Sequence, residues 1–296
     1  MQFGVLTFST DESMDPGELA AEVEAHGFES LFLPEHTHIP ASRRSPAPGG
    51  GELPREYQRT HDPFVALAFA AANTSTLRLG FGVCLLVERD PIITAKAVAS
   101  LDQLSQGRVI FGVAGGWNRE EMRHHGTDPA VRFDVLRERV LAMREIWNRT
   151  EAAFDGEHVS FEAMWSWPKP VQTGGPPILV GGSGDRAHDD VLAYGDGWLP
   201  IGWRQVDALP SKIEQLHRRA AAAGAPRPSV TIYGALPRED LLARYAELGV
   251  ERCLFVLPSA GRDEVLATLD ERRRLVDALR ARGMVGAEEV ADVSEQ

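Results

Sequence analysis

An acid–base pair stands where the second apolar run of this 296-residue chain ends. The run LFLP leads directly into Glu35 and His36. A histidine titrates near neutral pH, so His36 is suited to donating or accepting a proton in a reaction. The alternative is a structural histidine that caps a loop. We take His36 and Glu35 as the candidate catalytic residues, with Glu35 in a binding or orienting role rather than as the group that transfers the proton.

Two glycine clusters indicate places where a ligand can approach the backbone closely. Residues 112–116, GVAGG, offer a surface with almost no side chains, followed by Trp117, and such a floor suits a planar ring system. The other cluster, GGSG, stands between an apolar run and a helix-forming segment, where free amide groups and the helix dipole favour a phosphate. It consists of Gly181, Gly182, Ser183 and Gly184. Close backbone packing and a tight turn are the structural alternatives.

These candidates follow apolar strands, and the strands define the fold. Eight short strands are predicted, at Phe3–Phe8, Ser30–Pro34, Leu77–Leu86, Arg108–Ala114, Pro177–Val180, Gly197–Ile201, Val230–Tyr233 and Arg252–Leu257. Their nearly continuous apolar character indicates burial on both faces, as in a parallel sheet. Eight strands alternating with helices in under 300 residues favour an α/β fold, a single (β/α)8 TIM barrel, over an open sheet, and no GxGxxG follows the first strand. Barrel chemistry lies at the C-terminal ends of the strands.

Helices are predicted between the strands from apolar spacing and from end signals such as Asp15 followed by Pro16. They span Asp15–His26, Asp62–Asn73, Pro91–Leu104, Ala130–Trp147, Ser183–Tyr194, Val206–Ala223, Arg238–Leu248 and Arg262–Arg282. No linker or internal repeat divides the chain. We therefore expect one barrel domain over residues 1–283 and a frayed acidic tail over 284–296.

Two insertions interrupt the alternation, one after the second strand and one before the fifth. The first runs from Thr37 to about Thr60, and its Pro and Gly content predicts no regular structure. A loop of this length serves as a lid or is disordered. It carries four cations, which are either solvated or form an anion-binding lid: Arg43, Arg44, Arg55 and Arg59. The second insertion, residues 150–176, contains Trp165 and Trp167, which line a substrate pocket or form its own core.

Charge and composition limit the partners. The formal net charge is −12, and such a surface repels nucleic acid and anionic membrane. Cys84 and Cys253 lie in apolar runs and are predicted to be buried free thiols. No run is long enough to span a bilayer, and Met1 leads into a strand rather than a signal peptide. We expect a cytoplasmic protein that acts on a small molecule.

The segment Pro91–Trp117 follows PxxxAKxxxSLDxLSxGRxxxGVxxGW and closely resembles the luciferase-like flavin and deazaflavin oxidoreductases. The runs LFLPEH, HDPFVALAFAAANTSTLRLGFGV, GGSG and GDGW extend the resemblance to about residue 257. Within that family the chain is most similar to actinobacterial coenzyme F420-dependent oxidoreductases. The resemblance implies a (β/α)8 barrel, coenzyme F420 as cofactor with FMN as the alternative, and a homodimer.

The resemblance also implies where the ring of the cofactor lies. Glu35 and His36 stand where relatives place an acidic residue and a histidine beside the ring. Gly82 and Val83 stand where relatives have a bulge, with a cis peptide not preceding proline, against the back face of the ring. We therefore expect a cis bond between Gly82 and Val83.

Further positions are implied to contact the cofactor. Ala114 and Gly115 match backbone near the ring and its side chain, and Gly181 and Gly182 match the phosphate-binding turn. Ile201 falls where some relatives carry a hydroxyl residue, so its contact is apolar or through the main chain.

One position departs from part of the family. Trp117 is also implied to lie at the cofactor, but sugar-phosphate dehydrogenases of the family carry a glutamate there. The carboxylate that such an activity needs is missing, so oxidation of a sugar phosphate is not expected. An aromatic residue at this position favours a more apolar substrate.

The predicted function is hydride transfer between coenzyme F420 and a small organic substrate. The alternative is an FMN-dependent monooxygenase that uses oxygen, since the two classes share the ring site. A metallohydrolase is suggested by His36-Thr37-His38, but later strand ends offer no further ligands, so no metal is predicted. A cofactor-binding protein without turnover is the remaining possibility.

Overall fold

Parallel strands close into a barrel in the computed structural model, which describes residues 1–286. Within that range the barrel contains eight strands. They are β1 (Gln2–Leu6), β2 (Ser30–Leu33), β3 (Arg78–Phe81), β4 (Val109–Val113), β7 (Ile178–Gly181), β8 (Gly197–Leu199), β9 (Ser229–Tyr233) and β10 (Arg252–Val256). Pairing of β1 with β10, from Gln2 opposite Arg252 to Leu6 opposite Val256, closes the barrel. The predicted (β/α)8 fold is confirmed.

Helices surround the strands over the described part of the chain. They are α1 (Pro16–Ala25), α2 (Pro63–Ala72), α3 (Pro91–Leu104), α4 (Arg119–His124), α5 (Arg132–Asn148), α6 (Asp185–Tyr194), α7 (Leu209–Ala222), α8 (Glu239–Glu247) and α9 (Arg262–Ala281). The aspartates Asp15, Asp62 and Asp90 each precede a proline and accept hydrogen bonds from first-turn amides of α1, α2 and α3. This N-cap chemistry is why these three helices begin as predicted.

The predicted third strand, Leu77–Leu86, is too long. β3 ends at Phe81, and the chain then turns through a short 3-10 helix, Leu86–Glu88. Only one isolated bridge, from Cys84 to Val113, continues the pairing. The apolar run persists because the residues after β3 are still buried, which periodicity alone does not distinguish from a strand.

The insertions contain more regular structure than predicted. The loop after β2 forms a 3-10 helix at Arg55–Gln58, so the expectation of no regular structure is wrong there. The second insertion contains an antiparallel hairpin of β5 (Ala152–Asp155) and β6 (Ser160–Met164). Helix α4 was not predicted. The tail expected to fray from residue 284 lies mostly outside the described residues, and within it Val285 is buried.

A small apolar cluster fills the barrel interior beneath the C-terminal mouth. It consists of Leu6, Phe32, Ile110, Leu179, Leu199 and Leu254. Val83 and Tyr233 are partly buried and pack on top of this cluster. The interior is therefore a packed core, and ligands are left with the mouth above it.

Both cysteines are buried and free, as predicted. Burial raises the pKa of Cys84 and of Cys253 because a thiolate is poorly solvated inside the barrel. Over residues 1–286, none of the helices is long and apolar enough to cross a membrane.

Candidate active site

His36 lies just beyond β2 and has a partner on each ring nitrogen. Its Nδ1 is 2.8 Å from Oε2 of Glu121. The indole Nε1 of Trp117 donates to its Nε2 across 3.3 Å. Because an indole N–H only donates, Nε2 accepts, and the proton of the neutral ring stands on Nδ1, facing the carboxylate. The surroundings therefore select the tautomer that presents a lone pair on Nε2.

Glu121 fixes this orientation and was missed by the sequence analysis. Its side chain is fully buried, and its other oxygen accepts the backbone N–H of Thr37 at 3.0 Å. It lies in the first turn of α4, whose N-cap is Asn118. The pattern Asn118-x-x-Glu121 is typical of a helix start and is the signal that predicts α4. The contact with His36, 85 positions away, has no such local signal.

Glu35 is buried, and both its carboxylate oxygens bind protein donors. Oε2 accepts the backbone N–H of Leu85 at 2.6 Å. Oε1 accepts from the guanidinium of Arg89, which also pairs with Asp62. These contacts hold the chain after β3 in place. They fit an orienting role for Glu35 and leave His36 as the candidate for proton transfer.

The peptide bond between Gly82 and Val83 is cis, as the family resemblance implies. A β-carbon at Gly82 would lie 3.1 Å from the ring of Tyr233 and 3.3 Å from Cβ of Phe32. The bulge is therefore seated on the packed interior of the barrel, with Val83 beside the mouth.

A strip of small residues lies next to Val83 at the mouth of the barrel. A β-carbon at Gly181 would lie 3.2 Å from Cγ1 of Val83 and 3.3 Å from Cβ of Ala114. One at Gly115 would lie 3.1 Å from the ring of Phe133. We call the strip formed by Val83, Gly181, Ala114 and Gly115 the groove floor. It fits a planar ring because it carries only glycine, alanine and valine, and Gly115 lets the ring of Phe133 pack closely against it.

The glycine turn lies next to the groove floor. Gly182 has φ +136°, a conformation open mainly to glycine. Gly184 is the N-cap of α6 and supplies no side-chain hydrogen bond. The amide of Ala187 donates to the carbonyl of Gly184 at 2.9 Å, which leaves the amides of Asp185 and Arg186 to an anion. The indole of Trp198 donates to the carbonyl of Gly182 at 2.8 Å, and Lys212 donates to that of Ser183 at 2.7 Å. The turn therefore fits a phosphate, and the hydrogen bonds from Trp198 and Lys212 fix its backbone.

Ile201 continues the line of β8 through a bridge to Tyr233. Next to it, the ring of Trp203 lies 5.6 Å from that of Tyr233. Ile201 offers only apolar and main-chain groups. This side of the mouth therefore presents mainly apolar surface.

Tyr57 supplies a further aromatic wall of the mouth and was not predicted. Its ring lies 4.4 Å from Phe8 and 5.4 Å from His36, between ring centroids, and 6.5 Å from Trp117. Burial, followed by the charge of Glu56, raises the pKa of its hydroxyl. Tyr57 belongs to the long loop, where no periodic pattern shows which side chains turn inward.

Most of the cations of that loop are paired within the chain. Arg44 lies 3.7 Å from Glu120, and Arg55 and Arg59 bind Glu12 and Asp11. Pairing with carboxylates of the chain itself speaks against an anion-binding lid. Trp165 and Trp167 are exposed at the hairpin and do not form a core for the second insertion.

The residues behind His36 include an acid without a partner. Glu88 is buried, and neither carboxyl oxygen has a hydrogen-bond partner among the described residues. Burial, then the charges of Glu121 and Glu35, raises its pKa to about 9. At neutral pH the folded protein therefore holds Glu88 protonated, whereas the unfolded chain releases that proton.

Glu88→Gln is expected to stabilise the fold by about 1–3 kcal/mol at pH 7. Because the folded pKa is raised, the stability contributed by Glu88 is present below its unfolded pKa and is lost as pH rises toward 9. Gln removes this dependence. Urea unfolding at several pH values between 5 and 9 measures it. A variant whose stability falls with pH as steeply as the wild type contradicts the assignment.

Among residues 1–286, no group of three or more His, Cys, Asp or Glu side chains is arranged to hold a metal ion. Two histidines, His38 and His124, form a hydrogen bond with each other, with Nε2 of His38 2.8 Å from Nδ1 of His124. The mouth of the barrel carries His36, the groove floor and the glycine turn. Such an arrangement at the strand ends of a parallel barrel is suited to holding a planar, phosphorylated cofactor.

The chain belongs to the luciferase-like monooxygenase family, whose model matches residues 1–238. An uncharacterized protein of Mycobacterium tuberculosis is 42% identical over 275 residues, which cover 91% of this chain and 96% of that protein. The family is therefore established along most of the chain.

Characterised relatives fall into two cofactor classes. An F420-dependent glucose-6-phosphate dehydrogenase of Mycobacterium avium is 29% identical, over 69% of this chain and 58% of that enzyme. An FMNH(2)-dependent dimethylsulfone monooxygenase of Pseudomonas putida is 30% identical, over 45% of this chain and 38% of that enzyme. The chain thus matches an enzyme family that contains F420-dependent dehydrogenases and FMN-dependent monooxygenases.

Solved structures show the same fold. The monooxygenase RslO1 of Streptomyces bottropensis superposes with a TM-score of 0.77 at 18% identity, over 95% of this chain and 100% of that one. An F420-dependent secondary alcohol dehydrogenase superposes with a TM-score of 0.72 at 18% identity, over 94% of this chain and 99% of that one.

Proposed function

We propose that this protein transfers hydride between coenzyme F420 and a small organic substrate. The observation that carries the proposal is the position of His36: Glu121 holds Nδ1, and Nε2 lies at the aromatic mouth, where it accepts the indole N–H of Trp117. A fixed neutral imidazole at a cofactor groove is suited to moving one proton as hydride moves.

The groove residues divide the work of holding the cofactor. When bound, F420 supplies the acceptor or donor for hydride. The groove floor would support its ring, and the turn from Gly181 to Gly184 would bind its phosphate through backbone amides. Glu35 keeps the chain around Val83 in place through Leu85 and Arg89.

His36 balances the proton of the reaction. In the oxidation of an alcohol, Trp117 would release Nε2 of His36, and Nε2 would take the O–H proton of the substrate, while a bound cofactor would supply the hydride acceptor. The resulting imidazolium is stabilised by the carboxylate of Glu121 at 2.8 Å. In the reverse direction Nε2 returns the proton to the carbonyl oxygen.

The walls of the mouth indicate an uncharged, apolar substrate. Trp117, Tyr57, Phe8 and Trp203 surround it with aromatic surface. Trp117 also occupies the place where sugar-phosphate dehydrogenases of the family carry a glutamate. These features favour a ketone, aldehyde or alcohol with an apolar body over a sugar phosphate.

Anaerobic turnover tests the proposal. Reduced F420 is mixed with the protein and a panel of apolar aldehydes and ketones, and the absorbance of oxidised F420 is followed. We expect substrate-dependent reoxidation without oxygen. The relationship to dimethylsulfone monooxygenase supports the alternative, an FMN-dependent monooxygenase. Turnover only with reduced FMN and oxygen establishes that alternative and overturns the proposal.

The outer face of α2 and α3 supports the further proposal of a homodimer. α2 reads PFVALAFAAA and has no polar face, although it lies on the surface. Val65 and Phe69 on α2 are 69% and 50% exposed, and Ile93 and Leu104 on α3 are 70% and 80% exposed. A helix that is apolar all round is normally covered. A second copy of this chain would cover it. We further propose, as a separate point, that the protein is cytoplasmic.

Adding charge to this face is expected to separate the subunits. The double variant Phe69→Glu/Ile93→Glu places four carboxylates in a symmetric interface, so a monomer is expected by light scattering after size-exclusion chromatography. Ala221→Glu, on an exposed part of α7, is the matched control and should leave the dimer intact. A wild-type protein that is monomeric at micromolar concentration contradicts the proposal.

A further inference from the structure

Arginine side chains gather where the groove floor ends. The guanidinium of Arg132 lies 4.2 Å from the centre of the Phe133 ring, and that of Arg186 lies 4.6 Å from it. A β-carbon at Gly115 would lie 3.1 Å from the same ring and 3.5 Å from Cγ of Arg132. The two cations therefore border the groove floor directly.

Arg119 joins them at the start of α4. Burial first, and then the neighbouring charges of Arg119 and Arg186, lower the pKa of Arg132. We call Arg119, Arg132 and Arg186 the arginine cluster. Three like charges this close repel each other, which is unfavourable unless anions lie among them.

Carboxylates of the chain compensate only one member of the cluster. Arg186 lies 3.3 Å from Asp134 and 3.7 Å from Asp190. Arg119 and Arg132 form no ion pair with any residue of the 1–286 range. Arg132 does donate from Nη1 to the carbonyl of Pro129 at 2.6 Å, but its buried Nε has no acceptor there. In a chain of net charge −12, two uncompensated neighbouring arginines are conspicuous.

The cluster lies next to both the glycine turn and the groove floor. Arg186 is the second residue of α6, directly after the glycine turn ending at Gly184. Arg132 and Arg186 meet at Phe133, beside Gly115 of the groove floor. A phosphate at the turn would therefore have the arginines next to it, and acidic groups attached to that phosphate would face them.

We infer that the arginine cluster is a subsite for carboxylate groups that a cofactor carries beyond its phosphate. Arginine presents several N–H donors in a planar fork that matches carboxylates. F420 continues past its phosphate into a chain of glutamyl residues, whereas FMN ends at its phosphate. The inference rests on the proposed function and adds a reason for this chain to prefer F420 over FMN.

Binding of two forms of F420 tests the subsite. Dissociation constants are measured by deazaflavin fluorescence for F420 with several glutamyl residues and for its precursor with none. We expect the wild type to bind the long form at least about 10-fold more tightly, with the stronger salt dependence. The double variant Arg119→Gln/Arg132→Gln should lose this preference and bind the precursor within about 2-fold of the wild type.

Matched variants separate the subsite from general effects of charge. Arg218→Gln removes an exposed arginine on α7 that pairs with Glu214, and it should keep the preference for the long form. Arg119→Gln alone, at an exposed position, should lower the preference partly and serves if the double variant is unstable.

Each outcome decides between the two proposals. Equal binding of both forms by the wild type, or equal loss of both in the double variant, overturns the subsite but leaves the proposed function standing. Binding of neither form by the wild type, with binding of FMN, overturns both. Loss confined to the long form supports the subsite.

Discussion

His36→Ala is expected to lower kcat about 10²–10⁴-fold, the range that a positioned proton-transfer group contributes. The structure gives the reason. Nε2 lies at the mouth as a hydrogen-bond acceptor, which Trp117 now occupies, and Glu121 holds the ring in that tautomer. Alanine removes the proton carrier but leaves the groove floor intact. The measurement is kcat for reoxidation of reduced F420, together with the dissociation constant of the cofactor, which should change little.

His38→Ala is the matched control for this variant. His38 follows on the same loop but binds His124 and Thr37 near the surface, so its removal should leave kcat within about 2-fold. Thermal unfolding of both variants verifies folding, because His36→Ala leaves the buried Glu121 with one partner fewer. A folded His36→Ala protein with wild-type turnover refutes proton transfer by His36.

Gly181→Val is expected to weaken cofactor binding at least about 100-fold while the barrel still folds. Its β-carbon would lie against Val83 and Ala114 at 3.2 and 3.3 Å, so the two methyl groups of valine would crowd the groove floor. Such a steric block acts on the ring itself, so F420 and FMN should both be lost. Fluorescence and absorbance titrations with each cofactor measure the effect.

Gly261→Ala is the matched control for the groove. A β-carbon at Gly261 meets no atom within 4 Å, and its φ is −71°, so alanine fits there without strain. It should leave cofactor binding unchanged, and the cost of alanine at this N-cap of α9 is confined to stability. If Gly181→Val is folded and binds a cofactor as tightly as the wild type does, the ring does not lie on the groove floor.

Local patterns explain why much of the fold is predictable. The Asp-Pro starts of α1, α2 and α3 are local signals, and the predicted span Pro91–Leu104 coincides with α3. Buried parallel strands are apolar throughout, so their existence is readable but their ends are not. The third strand shows this, since burial continues through Leu86 after β3 has ended at Phe81.

Contacts between distant segments explain what was missed at the site. His36 stands at a strand end and was predicted, whereas its partner Glu121 lies in a six-residue helix. Tyr57 comes from a loop without periodicity. Arg132 and Arg186 meet at Phe133 although they are far apart in the sequence. Each of these requires the barrel to be closed before the contact can be seen.

The absorbance spectrum of the loaded protein tests most directly whether the mouth binds F420 for hydride transfer. The protein is incubated without oxygen with equal amounts of reduced F420 and reduced FMN, desalted, and its absorbance recorded before and after admission of air. We predict that F420 is retained and stays reduced in air until a carbonyl substrate is added. Retention of FMN, with rapid oxidation in air, would contradict the account.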